Sequence, residues 1–482
     1  MHDFQPVGRL IGQLSALLGA SMMVPAGLDW WDNNPNWHGV LLAGFLAIAC
    51  GVSISTATRG SDLHGLTRRQ AFMLTVLVWA VLPVFGALPF VFGAPRVSFT
   101  DGYFEAMSAL TTTGATVFTG LADAPRGMLL WRGMMQWFGG VGIVVVAIVF
   151  MPALRIGGMQ FFRSESFDLS GDIVPRATEI AGSLAWIYVG LTAACGLGYS
   201  LTGMSGFDAL VHSMTTLSTG GMGNYDTGFE HFSEGAHYVG VLFMILAAVP
   251  FIRFIQIMRG APMALWRDSQ ARAFVAILGV GIGVVTAWLV WHGHHLPRDA
   301  LREASFNLTS VMTGTGYASD AYDRWGGFAV TIFFVWALIG GCSGSTTCSG
   351  KVFRYQILYA ALVVQIKRIH SPNGVFPLHY QGRPVEPEVV SSIMGFFFVF
   401  VVCLSIWSIL LSLMGYDTLT AISGSVATLG NVGPGLGPVI GPSGNFAPLG
   451  EATKWLLSFG MLLGRLEFLS VLVLFTPLFW RK

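Results

Sequence analysis

Four short runs rich in threonine, serine and glycine hold the chemistry of this sequence. They centre on Thr112-Thr113-Gly114, Thr219-Gly220-Gly221, Gly314-Thr315-Gly316 and Thr428-Leu429-Gly430-Asn431. None contains a carboxylate, so their usable ligands are hydroxyls and main-chain carbonyls. Glycine permits backbone angles that aim carbonyl oxygens where other residues cannot. Rings of such oxygens replace a cation's hydration shell. Without side-chain carboxylates they suit a weakly hydrated monovalent ion better than calcium or magnesium. With Gly114, Gly221, Gly316 and Gly430 in register, the runs are spaced by 107, 95 and 114 residues. Thirteen residues before each glycine stands an acid: Asp101, Asp208, Glu303, Asp417. A fixed internal period governs the whole fold assignment.

The acids define the elements that must present these tips. A helix of about twelve residues spans about 18 Å, roughly half a membrane. An acid suits its N-terminus by capping and by the helix dipole. The negative C-terminal end then points at the tip, a favourable field for a cation. Non-helical backbone at membrane depth persists only where it packs in protein or lines a water-filled path. Each tip should therefore lie between two spanning helices, with the four meeting on one axis.

The composition supplies such helices. Of 482 residues, 53% are hydrophobic and 11% charged, against about 25% charged in soluble domains. Ten apolar stretches cover 10–28, 38–57, 72–93, 128–152, 180–203, 236–258, 272–292, 327–369, 389–414 and 453–479. The first has no A-x-A cleavage pattern and reads as a retained helix. Basic residues cluster on one side: Arg59, Arg68, Arg69, Arg155, Arg163, Arg176, Arg259, Arg267, Arg272, Arg354, Lys367, Arg368, Arg383, Arg481 and Lys482. The other side holds Arg96, Arg126, Arg132, Arg298, Arg302, Arg324 and Lys454. The richer side is cytoplasmic by the positive-inside rule, and with an even number of crossings it takes both termini. A net charge of +1 offers no field for nucleic acid. Five cysteines, mostly in apolar or glycine-rich runs, form neither a disulfide framework nor a zinc pattern.

The expected fold is an all-α membrane protein with four helix–pore-loop–helix repeats around a central pore, preceded by two extra N-terminal transmembrane helices. The divisions are 1–65 for the two helices, then 66–165, 166–265, 266–380 and 381–482 for the repeats. The third would contain an intramembrane loop, because Gly340–Lys351 is too rich in glycine and hydroxyls to hold a straight helix. That loop includes Gly344, Ser345, Thr346, Thr347 and Lys351 and should line the cavity beneath the tips. It is not a phosphate loop: its glycine spacing is wrong, and Val352 follows Lys351 where Ser or Thr is required. Arg465 sits deep in the last stretch, with Glu467 two residues on. A charge at that depth faces a cavity or a partner. It either pairs with an acid or loop carbonyls, or projects into the ion path. His292, His294 and His295 read as a solvated loop rather than a metal site. The tryptophans Trp30, Trp31, Trp37 and Trp131 fit interfacial anchoring in membrane lipid. The segment 370–388 is either a docking surface for a cytosolic partner or a linker.

At these residues the sequence resembles the Trk/Ktr/HKT superfamily of potassium transporters. The resembling segments are Thr111–Val117, Ser218–Asp226, Thr313–Tyr322, Ala427–Val439, Ile339–Tyr355 and Met461–Trp480. One departure is Met222, where an aromatic often follows the glycine. The resemblance implies potassium uptake across the bacterial inner membrane, with K⁺ as transported ion and no organic cofactor. It also implies a homodimer and a cytosolic nucleotide-binding regulatory ring (TrkA-like). It makes the four glycine-bearing runs a potassium selectivity filter. The loop at Gly344–Lys351 becomes a mobile gate, with Arg465 a charge beneath the filter. Two alternatives stay open: a proton- or sodium-coupled symporter, and the pore subunit of an ATP-driven pump. Apart from Glu467 the spans hold almost no acid, which leans toward a passive path. No Walker motif or phosphorylatable aspartate context is present, so no enzyme activity is expected of the chain itself.

Overall fold

The computed structural model describes residues 4–59, 67–150, 157–162 and 173–481, the side chains of 68, 149, 150 and 173–180 excepted. Arg155, Arg163, Lys482, the side chains of Arg68 and Arg176, and the divisions at 65/66 and 165/166 lie outside the described residues. The described chain is almost wholly helical, with a single two-stranded hairpin, His379–Tyr380 against Arg383–Pro384.

Two helical segments come first. Gln5–Ser21 continues through Met23–Trp31, and Trp37–Ala57 packs back against it. Glycines set the close approach: a Cβ on Gly12 would lie 2.6 Å from the Gly51 carbonyl, and one on Gly19 2.7 Å from that of Gly44. Buried Asp29 fixes the pair to the helix that begins at Arg126, accepting the Gly127 N–H and the Asn36 amide, each at 2.6 Å.

Four units follow, each with an outer helix, a half-length helix, a tip and an inner helix. The outer helices are Arg68–Phe92, Ile173–Leu201, Ser269–Trp291 and Pro387–Leu413. The half-length helices are Phe99–Leu110, Gly206–Leu217, Pro297–Met312 and Thr418–Leu429. Among the described residues, seven helices are long and apolar enough to cross a membrane. Two bent pairs raise this to nine.

Of the four inner helices, two depart from the continuous stretches expected at 236–258 and 453–479, while 327–369 breaks at its expected polar interruption. The first, Arg126–Val145, runs into a π-helical turn at Val146–Phe150. The second turns by 90° between Glu234–Ala248 and Phe251–Met258, where Pro250 removes a donor. The third stops at Ile339 and resumes at Val352, with Gly340 at φ +74° and Lys351 at +61°. The fourth bends by 106° between Glu451–Arg465 and Leu469–Phe475, with Glu467 and Phe468 at φ +60° and +50°. Arg465 therefore ends a helix rather than lying midway along a span.

The starts of the half-length helices follow the capping logic in three units. Ser98 and Ser205 accept the N–H groups of Asp101 and Asp208 at 3.1 and 3.0 Å, and Asp417 accepts that of Thr420 at 3.1 Å. The third begins on Pro297 instead, so Glu303 is inside the helix and buried, not at its start.

Candidate functional site

Backbone angles settle the tip register. Thr112, Thr219, Gly314 and Asn431 have φ of +50°, +49°, +72° and +51°. Two residues on, Gly114, Gly221, Gly316 and Gly433 have φ of +86°, +76°, +83° and +98°. Gly430 has φ −91° and caps its half-length helix. Gly433, not Gly430, is therefore the counterpart of the other three, and Asn431 replaces Thr428 two residues before it. The alignment on acids misled because Asp417 is an N-cap, whereas Asp101 and Asp208 lie three residues beyond theirs. In the second unit Gly221 holds the shared position despite the unusual Met222.

These glycines close a ring. A Cβ on Gly114 would collide with the Gly220 carbonyl oxygen, one on Gly221 with that of Thr315, and one on Gly316 with that of Val432. The circuit returns at Gly433, whose Cβ would lie 2.7 Å from the Thr113 carbonyl oxygen. Each tip thus abuts the next in chain order around one axis, and only glycine leaves the room. The carbonyls of Thr113, Gly220, Thr315 and Val432 stand at those four seams. A cavity of about 220 Å³ opens on the ring and is lined from every unit, by Gly114, Gly221, Gly316 and Pro434 among others.

Side chains hold the ring from behind. Thr111 and Thr113 share a 2.8 Å hydroxyl hydrogen bond, as do Thr313 and Thr315. Asn431 donates to the Thr113 hydroxyl at 2.8 Å and to the Met461 carbonyl at 3.0 Å. The oxygens Thr112 Oγ1 and Asn431 Oδ1 are buried without a hydrogen-bond partner among the described residues. Three residues beyond each ring glycine, a polar side chain of the half-length helix grips the departing strand. Glu105 accepts the Val117 N–H at 2.9 Å, Asp208 the Asn224 amide at 2.8 Å, and Ser423 the Leu436 N–H at 2.9 Å. In the third unit Glu303 accepts the Ser319 hydroxyl, while Asn307 accepts the Ser319 N–H at 3.0 Å.

Sequence reasoning missed two supports. Gln136, on the first inner helix, is fully buried; it donates to the Gly220 carbonyl at 2.6 Å and accepts the Met222 N–H at 3.1 Å. Its amide fills the space that a side chain at Gly220 would need. Arg132 pairs with Glu105 at 2.8 Å and donates to Thr116 at 3.1 Å and to the Gly223 carbonyl at 3.0 Å, tying the first tip to the second. A glutamine or arginine on an apolar helix was the available signal, but the carbonyls they reach, Gly220 and Gly223, lie in the second unit.

The polar interruption packs against the ring. Thr346 meets Thr219 hydroxyl to hydroxyl at 3.2 Å, and Ser349 donates to the Gly430 carbonyl at 3.1 Å. Gly344, at φ +72°, accepts the Phe251 N–H at 2.9 Å. Ser345 and Thr347 share a 2.7 Å hydroxyl hydrogen bond within the loop. Arg465 is 2% exposed and donates to the Thr346 carbonyl at 3.1 Å, to Cys348 Sγ at 3.0 Å and to the Gly139 carbonyl at 3.2 Å. It joins the loop to the first inner helix, the carbonyl-paired alternative of the sequence reading. Among the described residues, the Lys351 ammonium makes no hydrogen bond to loop carbonyls. Its ammonium pairs with Glu467 at 2.6 Å, and Arg354 takes the other Glu467 oxygen. A buried carboxylate at the helix break requires such partners. Arg354 also donates to the Gly157 carbonyl at 2.8 Å and lies 3.8 Å from the Phe396 ring centroid.

Elsewhere, His295 pairs with Asp320 at 3.0 Å, and no group of three metal-ligating residues occurs among the described residues. The hairpin in 370–388 is anchored: Tyr380 donates to Gln356 at 2.7 Å, and Gln381 donates to Ser269 at 2.9 Å.

Comparison with known proteins gives a consistent result. Residues 38–482 match the family model TrkH, described as cation transport protein. The Trk system potassium uptake protein TrkI of Halomonas elongata is 40% identical over 494 residues, covering 100% of this chain and 98% of its own. The Trk system potassium uptake protein TrkH of Escherichia coli K12 is 34% identical over 488 residues, covering 100% of both. The crystal structure of the potassium transporter TrkH from Vibrio parahaemolyticus superposes with TM-score 0.91 at 34% identity, covering 99% of this chain and 100% of that one.

Proposed function

The chain belongs to the TrkH family of cation transport proteins, and on that premise we propose that it takes up potassium through the four-glycine ring. One observation carries the reading: four left-handed glycines, each against a carbonyl of the next unit, with the C-terminal ends of four half-length helices leading into the tips. Carbonyl dipoles in that arrangement replace water around a large monovalent cation. Helix ends of that sign favour positive charge on the axis. The ligands assigned are Thr112, Thr113, Gly114, Thr219, Gly220, Gly221, Gly314, Thr315, Gly316 and Asn431-Val432-Gly433.

Beneath the ring, Gly340–Lys351 and Arg465 are the gate. Conduction requires Arg465 to release the Thr346 carbonyl and the loop to leave the axis. Glu467 is the acid that coupling to protons would use, but it is held between Lys351 and Arg354. This favours a passive, gated path over symport. The working assembly in this proposal is a homodimer in the bacterial inner membrane with both termini cytoplasmic. A cytosolic nucleotide-binding ring then moves the gate.

The test is flux into liposomes holding only this protein, with and without a proton gradient. Potassium and rubidium should enter at the slow basal rate of the unassisted gate and sodium be excluded, gradient or not. Equal potassium and sodium flux contradicts the filter. Flux that vanishes without the gradient replaces the passive path by symport.

A further inference from the structure

The 90° turn after Ala248 sets Phe251–Met258 at right angles to the inner helix, which is the direction of the membrane face when that inner helix crosses it. The chain then crosses Gly260–Asp268 and enters the outer helix of the third unit, Ser269–Trp291. That helix has 23 residues, about 34 Å, slightly more than a hydrocarbon core of about 30 Å. A helix of that length that crosses the core brings its first residues, Ser269–Arg272, to the edge of the headgroup layer.

A cleft of about 790 Å³ opens there, lined by Arg253, Gln256, Arg267, Asp268, Arg272 and Gln381 among others. Its one acid is neutralised: Asp268 is buried, pairs with Arg253 at 2.7 Å, and accepts the N–H groups of Gln270 and Ala271 at 2.8 and 3.1 Å. Arg267 and Arg272 are exposed, and their guanidinium groups make no ion pair or hydrogen bond among the described residues. Around the cleft, Met258, Met263 and Trp266 are 75%, 51% and 72% exposed. Two uncompensated guanidinium groups in one recess fit a phosphate oxygen pair. An apolar and tryptophan rim at headgroup depth fits acyl chain and glycerol.

We propose that this cleft binds the phosphate of an anionic phospholipid from the leaflet it faces. A soluble anion would gain nothing from the exposed methionines and Trp266, and an acidic protein segment would have to enter the headgroup layer to reach Arg272. The inference requires that the chain span a membrane but is independent of the ion carried, so a failed potassium flux leaves it standing.

The test is native mass spectrometry of the full-length protein in detergent. It is titrated with phosphatidylglycerol or phosphatidylethanolamine, with inorganic phosphate or a glutamate-rich peptide as competitor. Phosphatidylglycerol should be retained in preference to phosphatidylethanolamine and resist millimolar phosphate. The pair Arg267→Gln, Arg272→Gln should weaken its retention about tenfold, as expected when charged hydrogen bonds are lost. The pair Arg267→Lys, Arg272→Lys keeps the charge, should fall between, and serves if the glutamine pair unfolds. Equal retention of the two lipids, or unchanged phosphatidylglycerol binding in a folded glutamine pair, overturns the proposal. So does displacement by phosphate, which marks a soluble-anion site, or by the peptide, which marks a protein docking site.

Discussion

In the proposed gate, Arg465 is the single side chain whose release from the Thr346 carbonyl opens the path. Two unit charges about 4 Å apart interact by about 4 kcal/mol at an effective dielectric of 20, so a guanidinium on the cation route is a large barrier. Arg465→Ala should raise rubidium uptake at least about tenfold without the regulatory partner; unchanged uptake in a well-expressed variant removes Arg465 from the gate. Gln136, on the first unit's inner helix, supports the tip of the second unit. Gln136→Ala leaves the Met222 N–H and the Gly220 carbonyl without this partner, a loss of about 1–3 kcal/mol. Potassium-over-sodium preference should fall about tenfold while the thermal midpoint moves little; a drop in stability with selectivity intact would make Gln136 merely structural. Gly433 faces the Thr113 carbonyl at φ +98°. Gly433→Ala should therefore abolish discrimination between potassium and sodium in competition uptake, and retained discrimination would return the register to Gly430. The tips were legible in the sequence because threonine and glycine at membrane depth have few other uses. The fourth register was not, because an acid can serve a helix start from more than one position.

The half-length helices could be anticipated because a polar, acid-led segment between two apolar ones can do little else in a membrane. The breaks in the second and fourth inner helices could not, since the apolar stretches run on beyond Val249-Pro250 and beyond the charged pair Arg465 and Glu467. Pro250 was a weak hint. Glu467 and Phe468 in left-handed backbone gave none, because neither residue type favours it. The third break was readable from its density of glycines and hydroxyls. Glu467 holds the fourth break to the third through Lys351 and Arg354, all three buried. Removing one partner from such a cluster strands the others, at a typical cost of about 3–5 kcal/mol. Glu467→Gln should therefore lower the thermal unfolding midpoint by several degrees and make flux independent of the regulatory partner. A variant as stable as the parent would show that the cluster is not the latch.

Around the whole molecule the four units close on themselves. Lys454 of the last unit pairs with Asp101 of the first at 2.6 Å, and Asn431 of the last reaches Thr113 of the first. Four units on one axis were readable from the repeat, but closure depends on contacts between residues more than 300 positions apart. No local pattern encodes those. What stands or falls with this closure is a cation held by main-chain oxygens from all four units. Crystals of the protein soaked in rubidium, and read by anomalous scattering, ask that question without a flux assay. The account predicts a peak on the axis between the carbonyls of Thr113, Gly220, Thr315 and Val432, weakened in Gly433→Ala. A ring free of rubidium, with the ion instead on a carboxylate such as Glu105 or Asp226, would contradict it.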